Sequence, residues 1–226
     1  MTKKYMRIVP TALFLVAEST LYYFLLTTGG DTQKWCMYSS IVLCFLFSLF
    51  HIKNGNPFLL GGLAFTVCAD YCLVICNPIE QLWGMVFFLG AQTLYAVKLH
   101  SSGKNKPLLF IRIGLTVIAE IITVVVLKDK TDPLALVSLA YYANLIMNAI
   151  QAFTQFRKNK LLPIGFVLFI LCDTVIGLQV ASGGYLPIAE GSWLYELIFP
   201  SYPLSWVFYL PSQVLIALRC AGERKK

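Results

Sequence analysis

The sequence predicts an all-α integral membrane protein with eight transmembrane helices, and three observations predict it. The 226 residues are 58% hydrophobic and only 13% charged, with a mean hydropathy of +0.72. A soluble domain carries about a quarter charged residues. The apolar residues gather into eight stretches near the 20 residues that a membrane span needs. The basic residues gather on one side of those stretches.

In chain order, the predicted spans are Ile8–Thr27, Trp35–His51, Phe58–Cys76, Leu82–Leu99, Leu108–Leu127, Leu134–Phe153, Leu161–Ala181 and Leu204–Cys220. Turn formers and charges separate them, as in Lys53-Asn-Gly-Asn-Pro57, Asn77-Pro78 and Lys128-Asp-Lys-Thr-Asp-Pro133. The chain reads as one membrane domain over residues 1–226. Span one is interrupted by Glu18 and lacks a small-residue cleavage site, unlike a signal peptide. The last long connection, Gly183–Pro203, carries Tyr185, Trp193, Tyr195, Phe199 and Tyr202, and no basic residue. A short amphipathic helix at the membrane interface is expected there.

Of the 18 Lys and Arg residues, all but Lys34, Lys128 and Lys130 flank one side of the eight spans. By the positive-inside rule, that side and both termini are cytoplasmic, in a multi-pass protein of the cell membrane. The net charge of +7 is thus topology and contact with anionic lipid. No nucleic-acid partner is expected.

A duplication runs through the chain. Leu60-Gly-Gly-Leu-Ala-Phe-Thr-Val-Cys-Ala-Asp70 corresponds to Pro163-Ile-Gly-Phe-Val-Leu-Phe-Ile-Leu-Cys-Asp173, 103 positions later. Val16-Ala-Glu18 corresponds to Ile118-Ala-Glu120, and Leu89-Gly-Ala-Gln92 to Leu210-Pro-Ser-Gln213. Two four-helix repeats follow, about 5–100 and about 107–221. Four is even, so the copies are parallel, related by an axis along the membrane normal.

The repeat pairs polar residues at one depth. At about 1.5 Å per residue, Asp70 and Asp173 lie slightly beyond the midplane of a core about 30 Å thick. Glu18, Glu120, Gln92, Gln213 and Asn144 fall within a turn or two of that depth. An Asp at the centre of a membrane helix costs roughly 2.5–3.5 kcal/mol, so these side chains are expected to converge on the bundle interior. No Lys or Arg is expected at that depth, leaving proton-carrying carboxyls and amides as an acid/base pocket. Gln92, Gln213, Asn144 and Asn148 also suit a plainer role as interhelical hydrogen-bond donors and acceptors. Glu18 and Glu120 suit pairing with Ser or Asn on a neighbouring helix.

Metal and nucleophile chemistry find little support. Cys68, Cys72 and Cys76 recur every fourth residue along one predicted face, but no fourth ligand lies near, and thiols pack well in apolar cores. His51 and His100 sit at span ends. Ser-His-Asp, HExxH, Walker and GxGxxG patterns are missing, so neither a metal nor another cofactor is expected.

The Gly62-x-x-Phe-x-x-x-Ala-Asp70 stretch, followed by Phe87-Phe-Leu-Gly-Ala-Gln92-Thr-Leu-Tyr95, resembles the YhhN family of eight-span membrane proteins. Tyr141-Tyr-Ala, Gly165-x-x-Leu-Phe-x-x-Cys-Asp173 and Tyr209-x-x-Ser-Gln213 carry the resemblance into the second half. It departs at Gln92, where many members carry His, and at Ser39-Ser40, where many carry Lys-Pro. Family members include lysoplasmalogenases, which hydrolyse the vinyl ether of lysoplasmalogen to a fatty aldehyde and a glycerophospho-alcohol. The resemblance therefore implies a lyso-ether phospholipid as substrate partner, reached from the bilayer.

Vinyl ether hydrolysis needs one protonated carboxyl and one carboxylate, so Asp70 and Asp173 are the expected catalytic pair. Either could hold either role. Glu18, Gln92, Glu120, Asn144 and Gln213 are the expected supporting residues. The same residues suit two alternatives, a small proton-coupled transporter and a catalytically silent lipid-binding member. Residue types leave the oligomeric state open.

Overall fold

A computed structural model describes residues 5–53, 55–103, 106–128, 132–183 and 188–222. The described chain is helical, with no strand. Its helices are α1 (Tyr5–Thr27), α2 (Gly30–Phe50), α3 (Pro57–Asp70), α4 (Gln81–Gly103), α5 (Lys106–Leu127), α6 (Pro133–Phe153), α7 (Leu161–Ser182), α8 (Trp193–Ile198) and α9 (Leu204–Gly222). All but the short α8 are long and apolar enough to cross a membrane, α3 together with the turn that continues it to Ile75, matching the eight predicted spans.

Local chemistry sets several helix ends. Asn56 caps α3 by accepting from Phe58 N at 3.0 Å and Leu59 N at 3.2 Å, with Pro57 in the first turn. Asp132 does the same for α6, accepting from Ala135 N at 2.7 Å ahead of Pro133. The second helix begins at Gly30, five residues before the predicted apolar span. Asp31 lies in its first turn, where the helix dipole favours an anion, and Lys34 lies 3.6 Å from it. Gln33 reaches back to the last turn of α1, donating to the carbonyls of Leu25 at 2.9 Å and Thr28 at 3.0 Å.

The third span is not one α-helix as expected. After Asp70 the backbone widens into a π-turn over Tyr71–Ile75, where Cys76 N donates to Tyr71 O at 2.9 Å. That extra residue breaks the predicted cysteine stripe: Cys68 is exposed, Cys72 buried and Cys76 between the two. In the long connection, the expected short helix is α8, capped by Ser192. The Ile198 carbonyl accepts from Gln179 Nε2 at 2.6 Å, tying α8 to α7. Tyr185 lies outside the described residues.

Helix neighbours fall into two matching sets. α1 packs on α2 as α5 packs on α6, and α2 on α3 as α6 on α7. α3 packs on α4 as α7 packs on α9, and each set meets the other through α4 on α6 and α9 on α2. α1 and α5 are the outlying helices. The core between the others holds Tyr95, Phe166, Phe169, Leu59, Leu63 and Ile216, all fully buried.

Glycine lets α3 and α4 approach. A Cβ on Gly62 would stand 2.1 Å from Tyr95 Cε1, whereas one on Gly165, its counterpart, would meet nothing closer than Ser212 O at 3.3 Å. Tyr95 is fully enclosed and has nowhere to move. Gly62→Ala should therefore destabilise the fold by about 1–3 kcal/mol, as overpacked cores do, and Gly165→Ala by much less. Thermal melts of the two variants in detergent check this; equal melting temperatures would contradict it.

Proline opens one helix bond that another helix fills. Pro211 inside α9 has no N–H for the Val207 carbonyl. Tyr22 of α1 donates its hydroxyl to that carbonyl at 3.4 Å. Within lipid such a freed carbonyl needs a partner from a neighbouring helix.

Candidate functional site

Asp70 ends the α-helical part of α3, immediately before the π-turn, and Asp173 lies on α7. Each carboxylate is held by a tyrosine from another helix. Tyr209 of α9 donates to Asp70 Oδ2 at 2.6 Å, and Tyr141 of α6 donates to Asp173 Oδ2 in a short hydrogen bond. Asp70 is buried at 3% exposure, while Asp173 keeps part of its surface open.

One aromatic cluster joins the two pairs. The Phe88 ring lies 5.5 Å from Tyr141, 5.9 Å from Phe169 and 6.2 Å from Tyr209. Phe169 is also 5.2 Å from Tyr209, and Trp206 meets Tyr209 edge-on at 5.0 Å. The edge-to-face geometries fix both phenols. Five helices, α3, α4, α6, α7 and α9, thus meet around two Tyr–Asp pairs in an apolar shell.

The remaining polar residues divide into three groups. Glu18 is buried as expected, and its partner is Ser40, whose Oγ donates to Oε2 at 2.6 Å. Cys44 Sγ lies 3.4 Å from the other carboxyl oxygen. This is a closed α1–α2 contact. Removing its carboxyl with Glu18→Ala strips the buried Ser40 hydroxyl of its acceptor and should cost about 1–3 kcal/mol. Glu18→Gln should retain most of that stability, a difference a thermal melt resolves.

Gln92, Asn144 and Asn148 form the second group. Asn148 Nδ2 donates to Gln92 O at 2.9 Å and Gln92 Oε1 at 2.8 Å, linking α6 to α4. Gln213, fully buried on α9, donates Nε2 to Ser212 Oγ at 3.2 Å. Gln92 Nε2 and Gln213 Oε1 are buried without a partner.

Glu120 stands apart and corrects the expectation that it converges with the others on the bundle interior. It lines an open groove of about 260 Å³ with Ile121, Val124 and Val125 on the outer face of α5. The main neighbour of α5 is α6, and most of the α5 surface faces outward. A second open groove, about 430 Å³, runs along α1 and α2 past Leu21, Trp35 and Leu46. Neither groove includes Asp70 or Asp173.

Arg112 is the second correction. Its guanidinium was expected at a helix end but reaches the polar layer, with Nη1 donating to Asn144 Oδ1 at 2.9 Å. Tyr141 and Tyr209 were legible only as parts of motifs. Their pairing with the carboxylates links residues on different helices, in the second case 139 positions apart.

The fold and these buried polar groups define a multi-pass membrane protein with a tyrosine-held carboxyl pair between its helices. The chain belongs to the YhhN family, whose sequence profile matches residues 33–219. The matched range contains both aspartates, both tyrosines, Gln92 and Arg112, and leaves out Glu18. No curated protein and no solved structure matches the chain.

Proposed function

We propose that the protein is a membrane hydrolase of the lysoplasmalogenase type, cleaving the vinyl ether of a lyso-ether phospholipid. The observation that carries this reading is the pair of Tyr–Asp units, Tyr209–Asp70 and Tyr141–Asp173, joined by one aromatic cluster. One carboxyl, protonated, delivers its proton to the alkene carbon remote from the ether oxygen, the one that carries the fatty chain. The C–O carbon becomes an oxocarbenium ion, stabilised by the second carboxylate and the surrounding ring faces. Water adds to that carbon and gives its proton to the carboxylate. The resulting hemiacetal loses the glycerol oxygen, which takes up a proton, and its hydroxyl proton returns to the pair as the aldehyde forms. One water is consumed and the pair is restored.

Asp173, with part of its surface open, is the carboxyl that a lipid approaching between α6 and α7 meets first. In this reading both termini are cytoplasmic, the protein lies in the cell membrane, and the two four-helix repeats descend from one unit. The matching helix neighbours support the last point. In this reading Gln92 and Gln213, each with one unsatisfied buried polar atom, orient water or the ether oxygen.

The test is aldehyde release from a lysoplasmalogen by the purified protein in detergent, with several head groups. Release without any ion gradient supports hydrolysis. A folded wild-type protein that releases none would sink the reading and leave solute transport or silent lipid binding at the same carboxylates.

A further inference from the structure

Arg112 is a buried cation that the carboxyl chemistry does not use. It lies six residues into α5, roughly 9 Å along the axis at about 1.5 Å per residue, with 9% of its surface exposed. Its Nη2 donates to Asn148 Oδ1 at 2.8 Å and Gln151 Oε1 at 3.1 Å, completing a shell that Asn144 begins. Every one of these partners is a neutral amide. The ion pair among the described residues is Lys34 with Asp31, so no described carboxylate compensates Arg112. Amide oxygens hold a guanidinium in place and leave its charge in full. Intramembrane cations are expensive, and they mark places where an anion is received.

The shell also points inward. Asn148 bridges Arg112 to Gln92, and Gln92 Nε2 is a fully buried donor without an acceptor. Such a group is open to an oxygen acceptor that the protein itself does not supply. On α6, Asn144 lies one turn, about 4.5 Å, from Tyr141, which holds Asp173. A guanidinium, an orphan amide donor and the carboxyl therefore follow one another through the bundle. Six bonds separate the phosphorus of a lyso-ether lipid from its vinyl ether carbon, a reach of up to about 9 Å at roughly 1.5 Å per bond. That reach covers the offset along α6.

We propose that Arg112 binds the phosphodiester of the lyso-lipid and that Gln92 meets its glycerol oxygens, so the protein selects phosphate-bearing lipids with the head group toward the start of α5. The vinyl ether's place in this scheme rests on the hydrolase reading; the phosphate contact does not. At the repeat shift of 102 positions the counterpart of Arg112 is Pro10, so one half of the molecule alone carries the cation.

Binding separates the two ideas, because a saturated ether lipid binds without being cleaved. The probes are 1-O-alkyl-glycerophosphocholine, the 1-O-alkylglycerol of the same chain, and inorganic phosphate, titrated by tryptophan fluorescence in detergent. Wild type should bind the phospholipid at least tenfold tighter than the alkylglycerol, and Arg112→Gln should erase that difference while leaving alkylglycerol binding unchanged. Should Arg112→Gln fail to fold, Arg112→Lys keeps the charge and loses the paired donors, and should weaken only the phospholipid. Equal wild-type affinity for the two lipids overturns the proposal. So does equal weakening of both by a variant, the mark of a structural arginine. Saturable phosphate binding without lipid preference would show a free-anion site and also overturn it. Lack of hydrolysis with intact phospholipid preference would remove the hydrolase and keep Arg112.

Discussion

Asp70→Asn and Asp173→Asn should each lower aldehyde release by about 10²–10⁴-fold, the range that positioned acid–base groups contribute. The amide cannot give a proton to the alkene carbon, and it cannot take one from water. Both substitutions keep the size of the side chain and the oxygen that accepts from tyrosine, so folding should survive. The amide oxygen would still accept from Tyr209 in the first variant and from Tyr141 in the second. Melting temperatures near that of the wild type would therefore accompany the loss. The double variant should fall little below either single one, since residues that act as a unit lose their effect together. Two independent, multiplying losses would argue against a shared acid–base pair. Full activity in either single variant would remove that aspartate from the chemistry.

Tyr209→Phe and Tyr141→Phe should each reduce kcat by about 10–100-fold. A hydrogen bond to a charged group contributes roughly 1.5–3 kcal/mol, and the phenols set the direction in which each carboxylate points. The rings themselves pack against Phe88 and Phe169, so phenylalanine preserves the aromatic contacts and removes the hydroxyl alone. KM for the lipid should change less than threefold, because neither hydroxyl is assigned to the head group. Steady-state kinetics beside a thermal melt make the check. A rise in KM with kcat unchanged would mean that the tyrosines bind substrate and do not position the acids. Tyr142→Phe is the control: its hydroxyl pairs with Thr174 at 2.9 Å on the exposed surface, and its loss should leave kcat intact.

Some of this site was plain in the sequence, because a carboxyl in an apolar run is costly wherever the helix turns. Asp70 and Asp173 stood out on that ground alone. Their tyrosines did not, since an aromatic residue in a membrane span is ordinary and the bonds cross between helices. The sequence put Arg112 among the topogenic charges, and only the long reach of its side chain along α5 brings it to Asn144 and Asn148. Glu120 carried the same signal as Glu18 and ended on an outer groove. α5 has one main neighbour, so most of its circumference meets lipid whichever residues it bears.

The amino-acid sequence by itself determined eight spans, the turn formers between them, the aspartates in register across the repeat and the family. Those follow from length, hydropathy and short-range chemistry, which a chain carries locally. Tertiary structure alone decided how each helix is rotated about its axis. α3 and α7 are apolar all round, so no periodicity marks their inner face. Packing through Gly62, the π-turn after Asp70 and the meeting of α4, α6, α7 and α9 settled which polar groups touch.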